Sequence, residues 1–216
     1  MTLHGVSIVT TTWNEKENIE KLIPNIRNIL RRIDHEIIVV DDDSPDGTIQ
    51  VARKLADLAV KKSREGQSKG LLYGMKLAKF PIIVTIDADL ENDPRHIPEL
   101  IKKIKDYDII VASRAELPRI SEKIGQRTLG KMLGVRDVFS NFRAFRKETI
   151  SSFKLRGGET FGAELLVIAK KKGFKIGEIV YEPPARRDDP RIGGKVKADL
   201  RIIWALTKSL MIYLIH

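Results

Sequence analysis

The chain has 216 residues, 42% of them hydrophobic and 31% charged, which suits one globular domain and excludes a disordered or fibrous polymer. Its 39 Lys and Arg outnumber 29 Asp and Glu, giving a net charge of +10, so anionic partners such as nucleotide phosphates, acidic lipids or nucleic acid are favoured. No cysteine is present, which removes disulfides, thiolate metal sites and a cysteine nucleophile.

In chain order, Val6–Thr12 reads as a buried strand. Glu17–Ile33 is next, a helix with Ile19, Leu22, Ile23, Ile26, Ile29 and Leu30 on one face. Glu36–Val40 is a second strand and Asp46–Leu55 a helix capped near Asp46. Leu58–Lys61, Pro81–Ile86 and Asp108–Ala112 are expected as strands, and Lys69–Ala78 and Ile97–Lys105 as the helices between them. Strands joined by helices of this length need crossover connections, which predicts an α/β fold with a mostly parallel sheet covered on both faces. Beyond Arg114, Pro118–Leu133 and Phe161–Lys172 are expected as helices and Asn141–Phe145 and Lys175–Tyr181 as strands.

No linker or repeat divides the chain, so a single domain over residues 1–197 is expected, with an apolar helix over 198–216 after it. That tail is marginal in length for crossing a bilayer and is interrupted by Arg201 and Lys208. It suits either a core helix or a helix lying on a membrane surface, with Trp204 and Tyr213 at head-group depth. The apolar stretch Val6–Val9 is too short for a secretory signal. A cytoplasmic location is therefore expected, at the cytoplasmic face of the membrane if the tail lies on it.

Two carboxylate clusters fall where strands end. Asp41-Asp42-Asp43-Ser44-Pro45-Asp46-Gly47-Thr48 comes after the second strand, and Asp87-Ala88-Asp89-Leu90-Glu91 after Ile82–Ile86. Open α/β sheets bind ligands beyond the carboxyl ends of their strands. Clustered acids there repel one another unless a cation or hydrogen-bond donors offset the charge. Residues two apart in an extended segment point the same way. Asp87 and Asp89 are thus expected to face one pocket, with Glu91 continuing that side if the extension persists. Oxygen-only ligands suit Mg²⁺ or Mn²⁺, which complete their shells with water and substrate phosphates. Each cluster alone reads first as a turn and helix start, and it is their co-occurrence at two successive sheet edges that points to a ligand site.

Five motifs in order carry a resemblance: Thr11-Thr12-Trp13-Asn14-Glu15, Asp41–Thr48, Gly66–Gly70 with Gly74, Asp87-Ala88-Asp89, and Ser140-Asn141-Phe142-Arg143. Together they resemble the family 2 glycosyltransferases of the GT-A fold, a Rossmann-like architecture, and within that family the dolichyl-phosphate mannose synthases. The resemblance implies that Thr11, Trp13, Glu15, Val40 and Asp42 line a nucleoside pocket. It implies that Asp87, Ala88 and Asp89 meet a sugar diphosphate, and that Asp87, Asp89 and Glu91 hold the metal. Glu91 stands where the family usually has Gln. Arg114, Arg186 and Lys195 are the implied cations facing the phosphates, with Arg187 or Arg191 as substitutes. Asp89, Arg114 and Arg186 would carry the catalysis. Ser140 and Arg143 would bind an acceptor phosphate.

The resemblance implies an inverting transfer of a hexose, with mannose favoured, from a nucleotide-diphosphate sugar such as GDP-mannose to a polyprenyl (dolichyl) phosphate. A phosphate acceptor is already anionic and needs no strong base, in keeping with four histidines that all lie outside the motifs. A hydroxyl acceptor would need a base, for which Glu164 is a candidate. A receiver-type signalling domain fits poorly, because the third strand leads to Lys61-Lys62-Ser63 rather than a phosphoacceptor Asp. No nucleic-acid partner is expected, since nothing beyond net charge suggests one.

Overall fold

The computed structural model describes residues 5–155, 160, 162–183 and 194–215, with the side chains of 194–198 and 215 outside that description. Strands β1 (Val6–Thr12), β2 (His35–Asp41), β3 (Leu58–Lys61) and β4 (Ile82–Thr85) alternate with helices α1 (Lys16–Ile29), α2 (Thr48–Leu55) and α3 (Gln67–Leu77). After β4 come α4 (Ile97–Lys103) and β5 (Ile109–Arg114). Helix α5 (Ile120–Gly125) runs through a π-turn (Gln126–Gly130) into α6 (Lys131–Leu133). The chain continues with β6 (Arg143–Arg146), α7 (Ala163–Lys171), β7 (Ile176–Tyr181) and α8 (Gly194–Ile215).

The strands form one sheet in the order β3-β2-β1-β4-β6-β5-β7. β1 pairs parallel with both β2 and β4, and the crossovers leave these neighbours in opposite directions. A crevice therefore opens beyond the carboxyl ends of β1 and β4. β6 is the exception to the parallel pattern, pairing antiparallel with both β4 and β5. The reason is topological. The α5–α6 excursion begins and ends at the edge where β5 finishes, so the next strand has to run back the other way. That reversal brings Ser140 and Asn141 to the crevice.

Alternation along the strands divides the core between two faces. Val9, Ile38, Val40, Ile83 and Val111 pack under α3, α7 and α8. Ile8, Ile37, Val39, Val84 and Ile110 pack against α1 and α4. Helix α3 lies unusually close to the sheet because its glycines permit it. A Cβ on Gly70 would come 2.8 Å from Thr11 Cγ2, and one on Gly74 would come 2.5 Å from Val9 Cγ1. The tail is a helix packed on α7 and α5 through buried Ile202, Ala205, Leu206 and Ser209. Asp199 ties it down by accepting from the Ser121 hydroxyl of α5.

Candidate active site

The first acidic cluster is mainly scaffolding. Asp41 is buried and accepts from Thr12 Oγ1 at 2.9 Å, Ser44 Oγ at 2.6 Å and Ser44 N at 2.9 Å. Ser44 Oγ and Thr48 Oγ1 then accept from the backbone N–H groups of Asn14 and Glu15 at 2.9 and 3.0 Å. Asp46 accepts from Lys16 N at 3.3 Å and from the Thr48 hydroxyl at 2.5 Å. These bonds hold the β1–α1 turn, where Asn14 adopts φ 58, a left-handed backbone that costs a non-glycine residue about 1 kcal/mol. Trp13 is thereby presented at the strand end, 41% exposed.

The second cluster faces a cleft of about 190 Å³, where Asp87, Asp89 and Glu91 share the lining with Arg114, Arg119 and Arg201 and with Ser140 and Asn141. Asp87 and Asp89 do point into one cavity. The extension does not persist, since β4 ends at Thr85 and Ala88–Asp89 already form a turn; Leu90 has φ 64, and Glu91 N donates to Asp89 Oδ1 at 3.0 Å. Glu91 therefore reaches the cleft from a turn rather than along a strand. Asp87 accepts from Gln67 Nε2 at 2.5 Å and Asn92 Nδ2 at 3.3 Å, and Tyr181 OH donates to Asn92 Oδ1 at 2.6 Å. Burial and the neighbouring Asp89 push the Asp87 carboxyl up to about 7, with Glu91 adding to the shift against the Asn92 hydrogen bond.

Such crowding suits a divalent cation. Among the described residues no group of three or more His, Cys, Asp or Glu side chains converges tightly enough to hold a metal alone. The donor set fits one or two carboxylates with the remaining positions left to water and phosphate, as Mg²⁺ prefers.

Arg114 is held by two buried acids. Its Nε donates to Asp137 at 2.6 Å and its NH2 to Glu122 at 3.2 Å. Burial alone would lower its pKa, but the two carboxylates outweigh that and raise it, fixing the charge. Asp137 also accepts from Ser140 N at 3.1 Å, so the cluster sets the cleft wall as well as the arginine.

Of the expected site residues, Asp87, Asp89, Glu91, Arg114 and Ser140 line the cleft, while Val40 and Arg143 are buried away from it. Val40 is fully buried and packs beneath α3. Arg143 is 1% exposed and donates to Gly162 O at 2.8 Å and Val138 O at 3.0 Å, while its Nε has no partner. Burial lowers its pKa to about 10. It braces the backbone at Val138 and Gly162. Ser140 does line the cleft, with its hydroxyl donated to Ala112 O at 2.8 Å. Thr11, Trp13, Glu15 and Asp42 lie at or just past the ends of β1 and β2 and are not part of the cleft lining, and Ala88 is buried. Glu164 is buried on α7, away from the cleft lining. Arg186, Arg187, Arg191 and the side chain of Lys195 lie outside the described residues. Asn92, Arg119, Glu122 and Arg201 are cleft residues that no motif in the sequence signals, and Gln67 falls in the Gly66–Gly70 motif with no role assigned to it. They come from elements remote from one another in the chain.

The Glycosyl transferase family 2 model matches residues 7–163, spanning both acidic clusters and the cleft strands. The chain belongs to glycosyl transferase family 2. A relative, the dolichol-phosphate mannosyltransferase of Pyrococcus furiosus, is 34% identical over 94% of this chain and 64% of its own length. An undecaprenyl-phosphate 4-deoxy-4-formamido-L-arabinose transferase of an Enterobacter species is 30% identical over 69% of this chain and 51% of its own. The chain thus spans between half and two-thirds of the curated relatives' length. Among solved structures, glucosyl-3-phosphoglycerate synthase from Mycobacterium tuberculosis, in complex with Mn²⁺, UDP and glucosyl-3-phosphoglycerate, superposes with a TM-score of 0.77 at 20% identity. That match covers 95% of this chain and 80% of the other. Mannosyl-3-phosphoglycerate synthase from Rubrobacter xylanophilus gives 0.75 at 16% identity, over 98% and 74%. These matches establish the GT-A fold for this family 2 chain.

Proposed function

We propose that the chain transfers a hexose, mannose from GDP-mannose being favoured, to a polyprenyl phosphate in a divalent-metal-dependent, inverting reaction. The observation that carries this is one cleft that combines Asp87, Asp89 and Glu91 with Arg114, Arg119 and Arg201. The acids suit a cation on the donor pyrophosphate, and the arginines suit the second anion that a phosphate acceptor brings. An acceptor phosphate oxygen attacks the anomeric carbon as the bond to the nucleoside diphosphate breaks. No proton has to be removed, in keeping with a cleft lining that contains no histidine among the described residues. Mg²⁺ or Mn²⁺ held by Asp87 and Asp89 would neutralise charge on the leaving diphosphate. Gln67 and Asn92 fix the Asp87 carboxylate, and the Asp137–Glu122 pair keeps Arg114 charged and stationary. The polyprenyl-phosphate relatives support this acceptor, and the metal-bound fold neighbour supports the cation.

A peripheral membrane contact belongs to the same proposal. Among the described residues no helix is long and apolar enough to cross a membrane. Helix α8 instead has a second, bare apolar face, on which Leu200, Ile203, Trp204, Met211 and Leu214 are exposed, and Ile120 and Ile124 of α5, a helix packed against α8, are exposed as well. Arg201 and Ile202 of the same helix line the cleft, so a bilayer meeting that face would offer its phosphate there. Radiolabelled GDP-mannose incubated with polyprenyl phosphate and Mn²⁺ should yield a mannosyl lipid, and loss of product on chelation should be reversed by Mn²⁺. Failure to label the lipid with GDP-mannose or any other nucleotide sugar would remove the proposal.

A further inference from the structure

Tyr181 ends β7 at the edge of the sheet and pairs in register with Arg114, the last residue of β5. Its backbone oxygen accepts from Ala115 N at 2.8 Å, so strand pairing fixes where the side chain starts. The residue is 4% exposed. Its ring lies against His96, with centroids 4.8 Å apart and planes tilted by 46°, and edge-on to Phe142 at 6.0 Å. Residues from three separate segments thus hold one phenol still. Its hydroxyl reaches the loop between β4 and α4, where it donates to Asn92 Oδ1 at 2.6 Å. Burial raises the phenol's pKa above its ordinary value, so it stays a donor. Tyr181 itself is not part of the cleft lining, whereas Asn92 is.

Asn92 is 8% exposed, and its amide offers an acceptor on one side and a donor on the other. With the acceptor taken by Tyr181, the donor Nδ2 faces Asp87 Oδ2 at 3.3 Å. Turned over, the amide would set its oxygen against a carboxylate oxygen, two acceptors with no proton between them. We propose that Tyr181 is a positioning residue for the metal: through Asn92 it holds the Asp87 carboxylate in the orientation that receives a divalent cation. This rests on the reading of Asp87 as a metal ligand and adds the residue that orients it from outside the cleft. Gln67 restrains the other oxygen at 2.5 Å. The carboxylate is therefore gripped from α3 on one side and from the far edge of the sheet on the other. Groups that fix the rotation of a metal ligand govern affinity without touching the ion, because an unheld ligand must be ordered each time the ion binds.

Titration of the whole chain with Mn²⁺, with free ion read by electron paramagnetic resonance, separates this role from a structural one. The titration is run alone and with GDP or UDP present. Tyr181→Phe keeps the packed ring and removes only the hydroxyl, and it should weaken Mn²⁺ binding roughly tenfold or more. Asn92→Ala tests the same relay from its other end and should weaken Mn²⁺ at least as much. In the Asn92→Ala background, Tyr181→Phe should have no further effect, because the hydroxyl then has nothing to act through. Mn²⁺ affinity unaltered by either single substitution would overturn the proposal. An equal loss from Tyr181→Phe in both backgrounds would overturn it too, since that reports a loosened β7 and no relay. If the unmodified chain binds no Mn²⁺ under any of these conditions, the metal reading beneath the proposal falls as well.

Discussion

Asp89 is exposed at the cleft while Asp87 is pinned by Gln67 and Asn92, and this division sets what substitutions there should do. Asp89→Ala should lower transfer at least about a hundredfold, the scale of losing a group that stabilises transition-state charge. The fold should survive the substitution, because Asp89 is exposed, and circular dichroism would check this. Asp87 gives a pH signature. Its folded pKa of about 7 lies above its ordinary 3.8, so the folded state binds more protons than the unfolded one between those values. The metal-free protein should lose stability as pH rises through that window. A divalent cation competes with the same proton, so Mn²⁺ should raise the melting temperature more at pH 8 than at pH 6. Equal shifts at the two pH values would contradict metal ligation by Asp87. Asp137 is a different case, buried and accepting from Arg114, Phe139 N and Ser140 N. Its replacement by Ala leaves a buried guanidinium half-paired and should cost about 3–5 kcal/mol in urea denaturation.

At the scale of elements, α3 is the sensitive piece. Gly74→Ala would put a methyl group 2.5 Å from Val9 Cγ1 and 3.0 Å from Val40 Cγ2, and a packed strand has little room to move. A loss of about 1–3 kcal/mol is expected by denaturant titration. Catalysis should suffer as well, since α3 carries Gln67 to Asp87. The Asp41–Thr48 segment belongs at this scale too. Its sequence reads as ligand-binding acids, yet Asp41, Ser44, Asp46 and Thr48 spend their oxygens on the turn that presents Trp13. Only the hydrogen bonds reveal this, because an aspartate that caps a turn and one that meets a ligand look the same in a string of letters.

Across the whole molecule, the proposed membrane contact is tested on the outer face of α8. Trp204→Asp with Leu214→Asp, at side chains 62% and 76% exposed, should abolish co-flotation with vesicles containing anionic lipid. The same double substitution should leave Mn²⁺-dependent nucleotide binding unchanged. Co-flotation persisting in that variant would place membrane contact elsewhere. The tail's apolar character was visible in the sequence, but two apolar faces on one helix were not. Which face is covered depends on α5 and α7, which are distant in the chain.

The sequence by itself determined the alternation of strands and helices, the mostly parallel sheet, and the strand-end positions of Asp42, Asp87 and Asp89. Periodicity and β-branching are local properties, and strand ends are set by them. Tertiary structure decided the antiparallel entry of β6, the burial of Val40 and Arg143, and the assembly of Arg114 with Glu122 and Asp137. It also brought Arg119 and Arg201 to the same cleft as the acids. Each of these depends on which remote segments share a sheet edge or a helix face, and no spacing within a single segment encodes that proximity.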